Sequence, residues 1–182
     1  MKKILLIFML MLAVSGCLYA SVNARVAISN EMADVDYNRI WVSPTKYYYS
    51  VETITFNPMV ESNFDIMLTK NFGFSLGTGF GYQFGFYDFN RFVTMPDSLY
   101  ANVSIGLVGI FNGFRVSLVG AGRSLFQTAR NSWVSQVGGI LDLSYIFSNG
   151  ISLIGKFTFL TSYKIRTMGL SFGMGYSFGG NR

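Results

Sequence analysis

The sequence predicts an all-β fold, an eight-stranded antiparallel up-and-down transmembrane β-barrel, on three observations. Of 182 residues, 51% are hydrophobic and 17% aromatic but only 13% charged, about half the charge of an average soluble domain. Beyond residue 20 the apolar residues recur with period two and nowhere with helical spacing, the signature of strands. Tight turns and longer polar connections then alternate along the chain, as an up-and-down barrel requires.

The first twenty residues stand apart. Lys2 and Lys3 precede an apolar run from Ile4 to Val14, followed by Ser15, Gly16 and Cys17. A spanning helix needs about 20 apolar residues, so this shorter run reads as a secretory signal. Two processing routes are open, cleavage after Ala20 or lipidation of Cys17 within Val14-Ser15-Gly16-Cys17. Cleavage is favoured because strand alternation begins at once with Val22. Residues 1–20 are thus expected to be a signal peptide and 21–182 a barrel domain. Cleavage removes two lysines and leaves residues 21–182 with a net charge of +3 and no cysteine. No disulfide framework supports such a domain, and no basic run points to nucleic acid. With no histidine anywhere, a histidine-based triad or proton shuttle is excluded, and the single thiol makes no zinc site.

Eight strands follow, expected near 21–30, 51–69, 72–86, 99–111, 114–123, 132–147, 151–161 and 168–178. In the third, Phe72, Phe74, Leu76, Phe80, Tyr82, Phe84 and Phe86 alternate with glycine, serine and glutamine. In the last, Met168, Leu170, Phe172, Met174, Tyr176 and Phe178 alternate with Gly169, Ser171, Gly173, Gly175 and Ser177. Three connections are tight: Thr69-Lys70-Asn71, Asn112-Gly113 and Ser148-Asn149-Gly150. Asn-Gly favours a type I′ turn, which needs two residues at positive φ. Paired residues must share a face, so Asn112-Gly113 pairs Phe111 with Phe114, and the 148–150 loop pairs Phe147 with Ile151. The long connections are expected near 31–46, 87–98, 124–131 and 162–167. Gly77-Thr78-Gly79-Phe80-Gly81 lies within an alternating strand with no helix after it, so it is not a nucleotide loop.

One face of this ladder is bulky and apolar, the other small and too poor in charge for a good soluble surface. A membrane barrel inverts the soluble arrangement, turning bulky residues to lipid and crowding polar ones into the lumen. Aromatics fall where the two bilayer interfaces belong. Phe72, Phe111, Phe114, Tyr145, Phe147, Tyr176 and Phe178 lie near the tight turns; Tyr82, Phe84, Trp133, Phe159 and Tyr163 lie toward the long loops. Tyr47, Tyr48 and Tyr49 are expected to anchor the second strand where it enters the interface.

Parity assigns Arg25, Glu61, Asp65, Arg115, Asp142 and Lys156 to the lumen, three basic and three acidic groups expected to neutralise one another. The register that pairs Phe147 with Ile151 also sets Asp142 opposite Lys156, an expected ion pair. Glu61 and Asp65, four residues apart, are separated by about 13 Å along their strand, too far for a catalytic carboxylate pair. A closed lumen is expected; the glycine-rich strands argue for room for water and keep a narrow pore open as the alternative. Arg123, Arg130, Lys164 and Arg166 are expected to form a basic collar in the loops, able to meet an anionic lipid headgroup or a host surface ligand. Glu31, Asp34 and Asp36 make the 31–46 loop mildly acidic.

The signal, the alternating strands, the Asn112-Gly113 and Ser148-Asn149-Gly150 turns and the closing Gly175-Tyr176-Ser177-Phe178 together resemble small outer-membrane barrels of the OmpA, OmpX and OmpW kind. The resemblance is one of architecture over nearly all of residues 21–182. It implies a bacterial outer membrane, loops outward, turns in the periplasm and no cofactor. It also implies recognition by the barrel-assembly machinery through Leu170, Phe172, Met174, Tyr176 and Phe178, although Gly179-Gly180-Asn181-Arg182 follow where that family ends on the aromatic residue. The expected function is structural or mediated by surface loops, in a monomer without enzymatic activity. A narrow pore, or a soluble periplasmic barrel binding an apolar ligand, stands as the alternative.

Overall fold

The computed structural model describes residues 21–42, 47–84, 86–88, 93–95, 97–128, 131–162 and 165–179. The signal segment with Cys17 therefore lies outside the described residues, as do Arg130, Tyr163 and Lys164. Ten strands run in chain order: β1 Ser21–Val42, β2 Tyr47–Met67, β3 Phe72–Gln83, β4 Phe86–Asp88, β5 Val93–Met95, β6 Ser98–Phe111, β7 Phe114–Gln127, β8 Ser132–Ile146, β9 Ile151–Thr161 and β10 Ile165–Phe178. Eight of them close into an antiparallel barrel in the order β1-β10-β9-β8-β7-β6-β3-β2, while β4 and β5 form a separate two-stranded hairpin. The eight barrel strands are the eight expected, and β1 closes the sheet by pairing with both β2 and β10.

The turns follow their chemistry. Asn112 and Gly113 both take positive φ, 49° and 85°, and Phe111 faces Phe114 across them. At the third turn Phe147 N–H donates to the Ile151 carbonyl at 2.8 Å, with Gly150 at φ 88°. At the first, the Thr69 hydroxyl accepts from Phe72 N–H at 3.0 Å.

The loop end departs from expectation. Most of the connection placed at 31–46 is strand, because β1 runs to Val42 and β2 starts at Tyr47. Twenty-two residues of β1 extend about 70 Å at about 3.3 Å each, far more than a hydrocarbon core of about 30 Å consumes. The β1–β2 hairpin therefore continues past the membrane span as a paired ribbon, with one register shift between Tyr37 and Ile40. β7 likewise continues to Gln127, β10 begins at Ile165, and the 87–98 segment carries the β4–β5 hairpin.

The barrel is inside out relative to a soluble one. Phe80, Leu118, Trp133 and Phe172 are 66–69% exposed, whereas Glu31, Arg115, Arg123 and Asp142 are at most 3% exposed. Outward rings pair edge to face at the tight-turn end, Phe72 with Phe111 at 5.2 Å, Tyr145 with Phe114 and with Phe147 at 4.9 Å, and Tyr176 with Phe178 at 4.8 Å. At the other end Tyr82 meets Phe84 and Phe126 meets Trp133, each at 5.0 Å. These are the two aromatic girdles of a bilayer-spanning sheet.

Several lumen glycines make room for neighbouring groups rather than for a wide water path: side chains at Gly81 and Gly169, the backbone of the adjacent strand at Gly73, Gly106 and Gly138. A Cβ at Gly81 would fall 2.3 Å from Cζ of Tyr100, and one at Gly169 would fall 2.9 Å from Cγ of Glu31. Outward-facing Gly120 differs, with its nearest obstacle the Ile105 carbonyl at 3.8 Å. Gly81→Ala is accordingly expected to lower stability by about 1–3 kcal/mol through overpacking against Tyr100. Gly120→Ala should change it by less than about 0.5 kcal/mol; urea unfolding in detergent micelles measures both, and equal effects would remove the packing explanation.

Candidate functional site in the lumen

Period-two alternation sends every odd-numbered residue of β1 and β2 described in its side chain inward, and β7, β8 and β9 add their own inward charges. The result is four cations (Arg25, Arg115, Arg123 and Lys156) and four carboxylates (Glu31, Glu61, Asp65 and Asp142), all buried. Among the described residues the interior is therefore electrically neutral.

The charges fall into two groups. Toward the tight turns, Arg115 grips Asp65 with both ends of its fork, Nε to Oδ2 at 2.6 Å and Nη2 to Oδ1 at 2.8 Å. Its remaining donors reach Ser75 at 2.9 Å and Ser117 at 3.2 Å. Asp142 is the hub of this group. It pairs with Arg25, lies 3.2 Å from Arg115 Nη1 and 3.7 Å from Lys156 Nζ. Arg25 also donates to Ser144 at 2.8 Å, and Lys156 pairs with Glu61. Toward the loops, Arg123 holds Glu31 through two parallel bonds of 2.8 and 2.9 Å and donates from Nε to Asn102 at 2.9 Å. Asn57 donates to the same carboxylate at 3.1 Å. The Arg123 guanidinium also sits 4.6 Å from the centroid of the Tyr100 ring, within cation–π range.

These groups nearly fill the middle of the lumen. A cavity of about 30 Å³ remains, lined in part by Glu61, Asn63, Asp142, Lys156 and Arg123; it admits on the order of two waters. Toward the loops Val35, Leu125, Leu160 and Ile165, each at most 2% exposed, are buried together with the polar Gln83, Ser98, Gln127 and Gln136. Among the described residues no group of three His, Cys, Asp or Glu side chains could hold a metal ion.

The six charges assigned to the lumen from parity, Arg25, Glu61, Asp65, Arg115, Asp142 and Lys156, are all buried there. Asp142 and Lys156 do face each other in register. They also form the expected ion pair at 3.7 Å, and each has further partners, Glu61 for Lys156 and the two arginines for Asp142. An eight-stranded lumen is narrow enough for long side chains to span it, so diametric contacts add to cross-strand ones. Two corrections concern the loops. Arg123 is no part of a basic collar and Glu31 no part of an acidic loop; both are interior and bind each other. The signal is present in parity, since Arg123 lies on the same face as Arg115 eight residues earlier and Glu31 on that of Arg25; the expected first strand ends at 30, just short of Glu31, and the expected fifth ends on Arg123 itself, whereas β1 and β7 run on to Val42 and Gln127. Of the other collar residues, Arg166 lies on β10, exposed, its Cα opposite Asp36 of β1, while Arg130 and Lys164 lie outside the described residues.

A closed sheet with apolar side chains outward, two aromatic girdles and a charge-balanced interior is the fold of a transmembrane β-barrel. No family model matches the sequence, and no curated protein does. Solved structures of outer-membrane barrels match it in fold. The outer membrane protein OprG from Pseudomonas aeruginosa superposes with a TM-score of 0.55 at 11% identity, over 87% of this chain and 96% of that one. Ail, the attachment invasion locus protein of Yersinia pestis, gives 0.51 at 12% identity over 86% and 98%. The outer membrane protein AlkL gives 0.50 at 12% identity over 90% and 92%. At such identities the likeness is one of architecture.

Arg123→Ala would strand the Glu31 carboxylate in the interior, and breaking one side of such a pair costs about 3–5 kcal/mol. Replacing both partners together, Glu31→Leu with Arg123→Met, is expected to recover most of that loss. Unfolding midpoints of the three variants test this, and a double variant as unstable as the single one would show that the pair is needed for more than mutual neutralisation.

Proposed function

We propose that this chain is an integral protein of a bacterial outer membrane, exported and cleaved after Ala20, whose monomeric barrel is a closed anchor for surface-exposed segments. The observation that carries the proposal is the middle of the lumen, where eight buried charges balance one another around a cavity of about 30 Å³. Such a lumen holds the sheet together and offers solutes no continuous path. Function then belongs to what projects at the loop end, above all the β1–β2 ribbon that continues to Val42 and Tyr47. Arg166, with Arg130 and Lys164, is where an anionic lipid headgroup or a surface ligand would meet positive charge. The outer-membrane assignment draws on the inverted barrel and on its likeness in fold to outer-membrane structures.

Outer-membrane lipid is the partner of the outward belt. The barrel-assembly machinery is proposed to read Leu170, Phe172, Met174, Tyr176 and Phe178, which all face outward on β10, 41–69% exposed. The reading assigns the chain no catalytic role.

The chain purified from its membrane and reconstituted in planar bilayers is expected to give no discrete conductance. Regular current steps, altered in ion selectivity by Asp142→Ala, would replace the closed anchor with a narrow pore whose selectivity is set by the lumen charges.

A further inference from the structure

We propose that the mouth of the barrel at the tight-turn end is a binding site for a small amphipathic carboxylate, a short apolar body carrying one anionic head. The site is a cavity of about 290 Å³, separate from the 30 Å³ void deeper in the lumen. It lies at the small end of the range for ligand pockets. Its apolar lining includes Ile110 and Ile146, on the strands beside the second and third turns, and Arg25, Arg115 and Asp65 line it beside them. Two guanidiniums and one carboxylate line the cavity, and Asp142 behind them pairs with both arginines.

The donors of Arg115 are taken by Asp65 through the two-point contact, by Ser75 and Ser117, and by Asp142. Arg25 turns its two terminal nitrogens to Ser144 and Asp142, and its Nε–H has no partner. Ser177, opposite Arg25 in the β1–β10 register, has an unpartnered hydroxyl, and the amide oxygen of Asn23, two residues before Arg25 on the same face, is also unpartnered. A buried donor left unpaired costs about 1–3 kcal/mol, so the three orphaned groups favour an occupant that supplies hydrogen-bonding atoms. A carboxylate accepts from Arg25 Nε–H and from the Ser177 hydroxyl. A half-turn of the Asn23 amide adds its NH₂ as a third donor. Their residues line the cavity while these atoms are themselves buried, so side-chain reorientation accompanies binding. The apolar walls then cover the ligand's body, which a bare inorganic anion lacks.

Hexanoate and hexan-1-ol, equal in carbon chain and different in charge, are the probes. The chain in lipid nanodiscs, labelled at isoleucine methyl groups and arginine Nε, is titrated with each by nuclear magnetic resonance. Hexanoate should give saturable shifts at Ile110, Ile146 and Arg25, with an affinity about tenfold above that of hexan-1-ol, the effect of one charge-assisted contact. Ile146→Trp, which fills the cavity without touching the ion pairs, should abolish the saturable shifts. Ser177→Ala should weaken hexanoate and leave hexan-1-ol unchanged. Equal affinities for the two probes would overturn the carboxylate assignment. Shifts that do not saturate, or that persist in Ile146→Trp, would show partition into lipid and overturn the site.

Discussion

The structure depends on closure of the sheet in a medium that offers the backbone no hydrogen bonds. An unpaired amide in the hydrocarbon region costs several kcal/mol, so β1 must find both β2 and β10, and once it does the chain has an inside. Everything else follows from having that inside. Bulky residues gain by facing lipid, and the alternate residues of every strand converge on a space only a few side chains wide. Solvation that water gives a polar group elsewhere must come there from other side chains.

Charge balance is the form that solvation takes. Isolated charges in such a space would each cost several kcal/mol, while paired and hydrogen-bonded ones come close to breaking even. Four cations and four carboxylates meet that condition, with serine and asparagine taking up further arginine donors at Ser75, Ser117, Ser144 and Asn102. The glycines of β3 and β10 belong to the same packing. By giving up their own side chains they admit Tyr100 and the Glu31 carboxylate, so that small residues and charged ones interlock. The resulting interior is dense in its middle. The two described ends of the lumen differ: toward the loops neutral side chains, Leu125 and Leu160 with Gln127 and Gln136, are buried together, and the tight-turn mouth is a cavity lined in part by guanidiniums.

Much of this was legible because β structure writes its geometry into sequence with period two. The turn at Asn112-Gly113, the outward belt, the inward position of Arg25, Glu61, Asp65, Arg115, Asp142 and Lys156, and the register that sets Asp142 opposite Lys156 all follow from counting. The misreadings share one cause. Glu31 and Arg123 were given to loops because polar residues crowd the ends of β1 and β7, yet a strand that leaves the bilayer needs no apolar face and continues without its usual marker.

Alternation and turn chemistry by themselves determined the strand count, the connectivity and the face on which each charge lies, since these depend only on neighbours along the chain or across one hairpin. Only the closed tertiary structure decided which charges bind. Lys156 reaches Glu61, Arg123 reaches Glu31 and Arg25 reaches Asp142 across sequence separations of 92 to 117 residues. Those contacts are set by the diameter and stagger of the barrel and by the reach of each side chain, quantities that no local pattern carries.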